Sequence, residues 1–135
     1  MKKQNLKHKR TCVYNVNYHI VFSTKYRKKV LSEKVETCLK NLVYQIAKDK
    51  GFYVETIEVG EKDHVHIFVS ADPNFSISYI VKMLKGITAR KLLIFFPLLT
   101  KVLWKGHLWN PSYYVETIGS ISEENIKKYI EGQNK

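Results

Sequence analysis

The spacing of apolar residues divides the chain into helical segments and segments rich in β-branched and aromatic residues. After Ser32, apolar residues recur on one helical face as far as Ile46, and Gly51 stands where such a helix ends. A second helical stripe follows Ser76 and continues to about Leu93. Both patterns predict amphipathic helices that bury one face.

Four further segments have the composition of β-strands. They are 13–23, 52–59, 64–70 and 113–118. The tetrapeptide Gly60–Asp63 predicts a hairpin turn between the second and third strands. Residues 97–111 show no clear period and are predicted to be mostly loop. A last helix is predicted to begin after Ser122 and to run through Tyr129 toward Gln133.

The order of these elements predicts the α+β class. Strand, helix, strand, strand, helix, strand match a ferredoxin-like (RRM-like) antiparallel sheet with helices on one face, followed by a C-terminal helix. Such a sheet is expected to leave its other face open for chemistry. The 135 residues suit a single domain, 1–135, in which residues 1–10, with five Lys or Arg and no acid, are expected to be a mobile basic arm.

Charge and composition limit the classes of binding partner, the cellular location and the cysteine chemistry to expect. Lys and Arg total 23 against 12 Asp and Glu, a net charge of +11, which favours a polyanionic partner without separating DNA, RNA and an anionic membrane surface. A basic protein with no specific partner is the alternative. No apolar run is long enough to span a membrane and no signal-peptide core is present, so a cytoplasmic location is expected. Cys12 and Cys38 predict neither a disulfide framework nor a thiolate zinc site.

A pair of histidines in the third predicted strand is the first candidate site. Residues two apart on a strand project to one side, so His64 and His66 share a face while Val65, Ile67 and Val69 face the core. Two imidazoles on one sheet face can chelate a divalent metal ion. Two exposed histidines without a ligand are the alternative interpretation.

Tyr129 and Gln133 form the second candidate site. Their i, i+4 spacing puts them one turn apart on one face of the last predicted helix. A tyrosine packed in the core and a solvated glutamine explain the same spacing. Gly132 also weakens a helix at this point.

Together the two candidate sites suit phosphodiester exchange. Imidazole nitrogens of His64 and His66 and the amide oxygen of Gln133 leave about half of an octahedral metal shell for phosphate oxygens and water. A phenol such as that of Tyr129 has an ordinary pKa of about 10, below that of a sugar hydroxyl. A phosphotyrosine bond can therefore be reversed by a free 3′-hydroxyl without ATP, as strand transfer requires.

These motifs carry a family resemblance. His64-Val65-His66 is a His-hydrophobic-His (HUH) motif, and one downstream tyrosine follows in Tyr129-x-x-x-Gln133. With them the chain resembles the single-tyrosine HUH transposases (TnpA) of small bacterial insertion sequences that transpose as single-stranded DNA.

The resemblance extends beyond the motifs, over roughly residues 11–133. Residues 18–28 are similar to the family's first strand and basic loop, and residues 108–119 to its last strand. Asn110 and Glu116 stand where Ser and Gly are more usual in the family. Because both lie outside the motifs, they are expected to bear on DNA contacts more than on chemistry.

The resemblance implies a role for each motif residue. His64 and His66 would be metal ligands, Gln133 the third ligand and Tyr129 the nucleophile, with Mg²⁺ or Mn²⁺ as the metal. It also implies a homodimer in which the tyrosine helix of one subunit can serve the histidines of the other. Family members recognise hairpins of single-stranded transposon ends and cleave to leave a 5′-phosphotyrosine and a free 3′-hydroxyl.

The expected DNA contacts lie in the loop after the first strand and on the polar side of the second helix. They are Lys25, Tyr26, Arg27, Lys28, Lys29, Lys82, Lys85 and Arg90. Tyr26, Trp104 and Trp109 are expected to stack on unpaired bases. For each of these residues, solvated surface or core packing is the alternative.

Two other functions fit the same sequence. A non-catalytic nucleic-acid-binding module of RRM-like fold would use the open sheet and basic loops. A small metallohydrolase would use His64 and His66 with no part for Tyr129. His8, His19 and His107 have no partner spacing and are assigned no role.

Overall fold

The computed structural model describes residues 16–119 and 123–133, which form a four-stranded antiparallel sheet and its helices. The strands are β1 Val16–Ser23, β2 Tyr53–Gly60, β3 His64–Ala71 and β4 Tyr114–Ile118. The helices are α1 Glu33–Lys50, α2 Ile77–Phe95, α3 Leu99–Val102 and α4 Glu123–Gln133. The strand order β2-β3-β1-β4 is that of a ferredoxin-like sheet, so the predicted α+β fold is confirmed.

The first long helix begins and ends where the sequence predicts. The Ser32 side chain accepts a hydrogen bond from the Val35 amide, which satisfies one of the unpaired donors of the first turn. Gly51 ends the helix with a φ of 92°, a left-handed conformation that glycine adopts without strain. Ser76 caps α2 in the same way, accepting from the Tyr79 amide.

The hairpin between β2 and β3 turns through Glu61 and Lys62. Both residues have positive φ, 49° and 61°, and the Asp63 amide donates to the Gly60 carbonyl across the turn. The predicted hairpin is confirmed. Its turn leaves Asp63 directly before the first residue of β3.

One face of the sheet packs against α1 and α2. Val65, Ile67 and Val69 of β3 are fully buried there, as are Leu39 of α1 and Leu84 of α2. Burying an aliphatic side chain of this size contributes about 1.5–3 kcal/mol each. This core fixes the direction of β3 and therefore the face to which its intervening residues point.

The opposite face is covered in part by α4, contrary to the expectation of an open face. Ile126 and Ile130, four residues apart on α4, pack against Phe68 of β3 and Ile118 of β4. Phe68 is completely buried. The apolar positions of the last helix explain this cover, since an amphipathic helix buries its stripe against any available apolar surface.

The remaining differences from the sequence-based expectations are local. Residues 97–111 contain the short helix α3 and a 3₁₀ turn at Trp104–Gly106, so this segment has more structure than predicted. The predicted arm 1–10, residues 13–15 and Ser122 lie outside the described residues. No helix within 16–119 or 123–133 is long and apolar enough to cross a membrane.

Candidate functional site

His64 and His66 lie side by side on the face of the sheet opposite α1 and α2, as predicted. We call this face, which also carries His19 and Glu116, the histidine face. The ring centroids of His64 and His66 are 5.1 Å apart, with ring planes at 70°. When two imidazoles bind one ion with about a right angle between the two metal–nitrogen bonds, ordinary metal–nitrogen distances put the ring centroids about 5 Å apart. The histidine pair therefore fits a single divalent ion.

A buried carboxylate supports His64. Asp63 Oδ1 accepts a hydrogen bond from His64 Nδ1 at 2.8 Å, and the same carboxylate lies 3.2 Å from Arg27 and 3.4 Å from Lys29. Burial disfavours the charged form of Asp63, but the hydrogen bonds from His64 and Arg27 and the nearby positive charges outweigh it and lower its pKa. With Nδ1 so engaged, Nε2 is the nitrogen of His64 that would bind a metal.

A glycine lies directly across from His64. Gly60 of β2 is its partner in the sheet, and a Cβ added to Gly60 would overlap Nε2 and Cε1 of the imidazole. The ring occupies the space that a side chain would fill. Only glycine at this position lets His64 keep its place.

His66 is supported through a second histidine. His19 Nε2 lies 2.9 Å from His66 Nδ1, and His19 Nδ1 lies 2.9 Å from Glu116 Oε2. Burial lowers the pKa of His19, although the hydrogen bond and charge of Glu116 act in the opposite direction. His19, to which the sequence assigned no role, therefore touches the candidate metal site.

Glu116 makes a contact that the sequence did not predict. Its carboxylate lies 2.9 Å from His19 Nδ1, and its contact with DNA stays a prediction. The signal that would reveal this is strand register: His19 of β1 pairs with Phe68 on one side and with Glu116 on the other. Such pairing between distant segments is not visible in a single sequence.

Tyr129 and Gln133 both lie within helix α4, and their side chains are outside the described part of the structure. The helix that carries them packs on the histidine face through Ile126 and Ile130. Among the described side chains, no group of three or more His, Cys, Asp or Glu could hold a metal ion. A metal at the histidine pair would therefore need further ligands from Gln133, water or a substrate.

The basic loop after β1 remains the predicted DNA-contacting region. Lys25, Tyr26 and Arg27 form a 3₁₀ turn in which Tyr26 has a φ of 58° and is 66% exposed. Lys28 and Lys29 follow, also exposed. Contact of these residues with DNA stays a prediction.

On helix α2 the expected contact residues differ from one another. Lys82 and Arg90 are exposed. Lys85 is half-buried, donates hydrogen bonds to the carbonyls of Asn110 and Ser112, and has its pKa lowered by burial. It therefore holds the segment before β4 in place, and its contact with DNA stays a prediction.

Trp109 was expected to stack on unpaired bases, but its ring is not available for this. It is buried, packs edge-to-face on Phe22 and donates from Nε1 to the Thr88 hydroxyl at 3.0 Å. The side chain of Trp104 is outside the described residues. Beside Trp109 an open cleft of about 360 Å³ is bordered by residues of the basic loop, α2 and the segment before β4. Its lining includes Lys25, Lys85, Ala89, His107, Leu108 and Asn110.

Comparisons with known proteins agree with this architecture. Residues 12–133 match the family described as IS200-like transposase. The chain is 42% identical over 129 residues to the ISDra2 transposase TnpA of Deinococcus radiodurans, covering 96% of this chain and 91% of that protein. It is 28% identical over 120 residues to the transposase for insertion sequence element IS200 of Salmonella typhimurium, covering 89% and 78%.

Solved structures show the same fold. A crystal structure of a Deinococcus radiodurans R1 protein described as a transposase matches with a TM-score of 0.78 and 40% identity, over 94% of this chain and 97% of that chain. A REP-associated tyrosine transposase bound to a REP hairpin matches with a TM-score of 0.59 over 92% of this chain and 67% of that one; at 12% identity this shows the fold alone. Because the family match spans nearly the whole chain, and a relative well above 30% identity is matched over almost its full length, the chain belongs to the IS200-like transposase family.

Proposed function

We propose that the chain cleaves and rejoins single-stranded DNA at transposon ends, with Tyr129 as nucleophile and Mg²⁺ or Mn²⁺ bound by His64, His66 and Gln133. Membership of a transposase family makes it a DNA strand transferase; the nucleophile, the metal and the single-stranded substrate are the proposal. The observation that carries it is the packing of α4 on the histidine face.

Helical periodicity supports a shared face for the proposed residues. Tyr129 follows Ile126 by three residues and Gln133 follows Ile130 by three, and positions three apart on a helix lie on the same side. Ile126 and Ile130 contact the sheet. The positions of Tyr129 and Gln133 therefore adjoin the stripe by which α4 packs on the sheet, which supports their assignment to the site.

The proposed reaction needs no energy source beyond the DNA itself. The Tyr129 hydroxyl gives up its proton as its oxygen attacks the scissile phosphorus, the bond from phosphorus to the 3′-oxygen breaks, and that oxygen takes up a proton to leave as a free 3′-hydroxyl. The remaining strand is held as a 5′-phosphotyrosine, and attack by a 3′-hydroxyl reverses the step. A divalent ion, when bound, polarises the phosphate and offsets its charge. His64 and His66 would hold it through Nε2, because their Nδ1 atoms are hydrogen-bonded.

Hairpin recognition and dimerisation are part of the same proposal. The basic loop, with Lys25, Arg27 and Lys28, supplies positive charge for phosphates, and the exposed Tyr26 ring supplies a surface for an unpaired base. A structural neighbour of the same fold is bound to a REP hairpin. The homodimer, in which the tyrosine helix of one subunit can serve the histidines of the other, follows from the family resemblance.

The non-catalytic RRM-like alternative is disfavoured by the cover on the sheet. Such modules stack bases on aromatic residues of an open sheet face. Here the aromatic residue of β3 on that face, Phe68, is completely buried and packs against α4. The face also places two histidines where such a module displays aromatics.

The decisive experiment is incubation of the protein with a labelled single-stranded transposon end and Mn²⁺, followed by denaturing electrophoresis. We expect a covalent protein–DNA adduct that EDTA abolishes and Mg²⁺ or Mn²⁺ restores. The Tyr129→Phe variant should form no adduct and still bind the hairpin. Tyr44→Phe, which changes an exposed tyrosine on α1 on the other side of the sheet, is the matched control and should behave as wild type.

The outcomes separate the competing functions. Adduct formation by Tyr129→Phe at the wild-type level contradicts the assignment of the nucleophile. Released product without an adduct favours the metallohydrolase, and binding without any product favours the non-catalytic module.

A mixing experiment tests the arrangement of subunits. His64→Ala and Tyr129→Phe each lack one half of the proposed site. If each site is built within one subunit, the mixture stays inactive; recovery of cleavage on mixing shows that the tyrosine helix acts in trans.

A further inference from the structure

We propose that Glu116 and His19 are positioning residues that set which ring nitrogen of His66 carries the lone pair facing the metal site. The inference rests on the proposed function, because it concerns His66 as a metal ligand. It assigns a role to two residues outside the His64–His66, Tyr129 and Gln133 set.

The three side chains form a continuous hydrogen-bonded chain. Glu116 Oε2 and His19 Nδ1 are 2.9 Å apart, as are His19 Nε2 and His66 Nδ1. The planes of the two imidazoles differ by only 12°, with centroids 5.2 Å apart, which is the geometry of a hydrogen bond lying in the plane of both rings. The orientation of His66 is therefore tied to that of His19.

The chain is held away from solvent. His19 is completely buried and His66 is 1% exposed. The Phe68 ring stacks on His19 with centroids 4.5 Å apart and planes 5° apart, and α4 packs on the same phenylalanine. Solvent exchange at these nitrogens is therefore restricted, and hydrogen bonds of this kind are stronger than they would be in water.

The direction in which protons are donated along this hydrogen-bonded chain follows from the group at its end, the Glu116 carboxylate. A carboxylate only accepts hydrogen bonds, so His19 must donate from Nδ1 to Glu116. A neutral His19 then has its lone pair on Nε2, so His66 must donate from Nδ1 to it. The lone pair of His66 is consequently on Nε2, the nitrogen away from the chain and the one that can bind a metal.

A protonated His19 would donate from both nitrogens and reverse the second bond. Its complete burial opposes that state, because a charged imidazole away from water is costly. The Glu116 carboxylate, with 27% of its side chain exposed, lies at the outer end of the chain and keeps partial access to water. The negative charge is therefore placed where it costs least, and its effect reaches His66 through His19.

Replacement of Glu116 by glutamine tests the direction directly. Glu116→Gln keeps the shape of the side chain. Because an amide both donates and accepts hydrogen bonds, His19 is no longer required to donate from Nδ1. Glu58→Gln is the matched control: Glu58 is exposed on β2 and pairs with His66 across the sheet, so this change removes the same charge near the same histidine without touching His19.

Two measurements are made on the full chain without DNA. Imidazole ¹⁵N NMR of the metal-free protein should show the proton of wild-type His66 on Nδ1, and Glu116→Gln should give a mixture of tautomers. The dissociation constant for Mn²⁺, followed by electron paramagnetic resonance of the free ion, should rise by about 10-fold in Glu116→Gln, as for other residues behind a metal ligand. Glu58→Gln should leave the tautomer unchanged and the Mn²⁺ affinity within about two-fold of wild type.

Three results would overturn the inference. They are a wild-type His66 protonated on Nε2, an unchanged His66 tautomer in Glu116→Gln, and an equal loss of Mn²⁺ affinity in Glu58→Gln. The first needs no variant and so does not depend on whether Glu116→Gln folds. Failure of the wild type to bind Mn²⁺ instead removes the proposed metal site, and the NMR spectrum still decides the hydrogen-bonded chain.

Discussion

His64 and His66 sit two residues apart on one strand, yet they are supported in different ways. His64 lies beside the hairpin turn and is held by Asp63, its neighbour in sequence, which Arg27 and Lys29 keep charged from the surface. His66 lies farther into the sheet and is held by His19, which Glu116 orients from the far strand. The support of His64 comes from its neighbour in sequence, whereas the support of His66 joins three strands and ends at the partly exposed Glu116.

The difference shows two solutions to one requirement. A metal-binding imidazole needs a partner on its second nitrogen to fix its tautomer and orientation. At the end of β3 the buried Asp63 carboxylate can be charged because Arg27 and Lys29 lie 3.2 and 3.4 Å from it. A carboxylate at the completely buried position of His19 would be strongly desolvated, so a neutral imidazole stands between His66 and the partly exposed Glu116.

Loss of either histidine should have the largest effect. His64→Ala and His66→Ala each remove a proposed metal ligand, and loss of several kcal/mol of charge stabilisation predicts a fall in cleavage of about 100-fold or more. Adduct formation over time measures this. If the two variants differ greatly, with one near wild-type activity, the two histidines do not share one ion.

Gly60→Ala should disturb His64 more than His66. The new methyl group would overlap the His64 ring, so the ring must move, and displacement of a reacting or binding group by about 1 Å can cost roughly 100-fold in rate. Mn²⁺ affinity and adduct formation should both fall, and the NMR signals of His66 should change less than those of His64.

Gly86→Ala is the matched control for this change. A Cβ at Gly86, within α2, meets nothing within 4 Å, so the substitution should keep activity and add about 0.5–1 kcal/mol of stability. Normal activity in Gly60→Ala would show that His64 tolerates displacement and does not bind the ion.

Asp63→Asn should weaken the local support by a smaller amount. The amide can no longer hold both His64 and the two cations as a carboxylate does, and we expect Mn²⁺ to bind about 10-fold more weakly. Glu61→Gln removes a charge from the same turn at an exposed position and should have little effect. Equal losses in the two variants would assign the effect to net charge instead of to the bond with His64.

The smallest expected effect is the pH dependence of folding stability, which differs between the support of His66 by His19 and the support of His64 by Asp63. Because burial lowers the pKa of His19, the unfolded chain binds more protons than the folded chain below about pH 6.5, and stability falls as the pH drops below that value. The pKa of Asp63 is also lowered, so its contribution is present above its ordinary value of 3.8 and is lost as the pH falls through its value in the folded chain.

Urea unfolding of wild type, His19→Phe and Asp63→Asn from pH 8 to pH 3 measures both contributions. The difference between wild type and His19→Phe should shrink below pH 6.5, and that between wild type and Asp63→Asn only below about pH 4. A flat difference for His19→Phe from pH 8 to pH 5 would show that His19 is protonated alike in the folded and unfolded chains.

Much of this molecule could be predicted from patterns within short segments. The helix caps at Ser32 and Ser76 and the end of α1 at Gly51 depend on contacts over one to four residues. The alternation of His64 and His66 with buried residues depends only on the two-residue period of a strand. The support of His64 by Asp63 was not predicted, because adjacent residues on a strand point to opposite sides and the contact depends on the turn that precedes β3.

Other features needed the pairing of segments far apart in the chain. His19 and His66 are 47 residues apart, and His19 and Glu116 are 97 apart, so their contact exists only because β1 lies between β3 and β4. Trp109, expected to stack on bases, is buried because a bridge to Thr24 brings its segment against the core.

By itself the sequence determined the elements, the sidedness of the histidine strand and the family motifs, because each follows from local conformational preference and periodicity. The tertiary structure alone decided that α4 covers Phe68, that Gly60 makes room for the His64 ring and that Glu116 reaches His66 through His19. Strand register and burial are properties of the whole sheet, in which every cross-strand contact depends on all the others being formed.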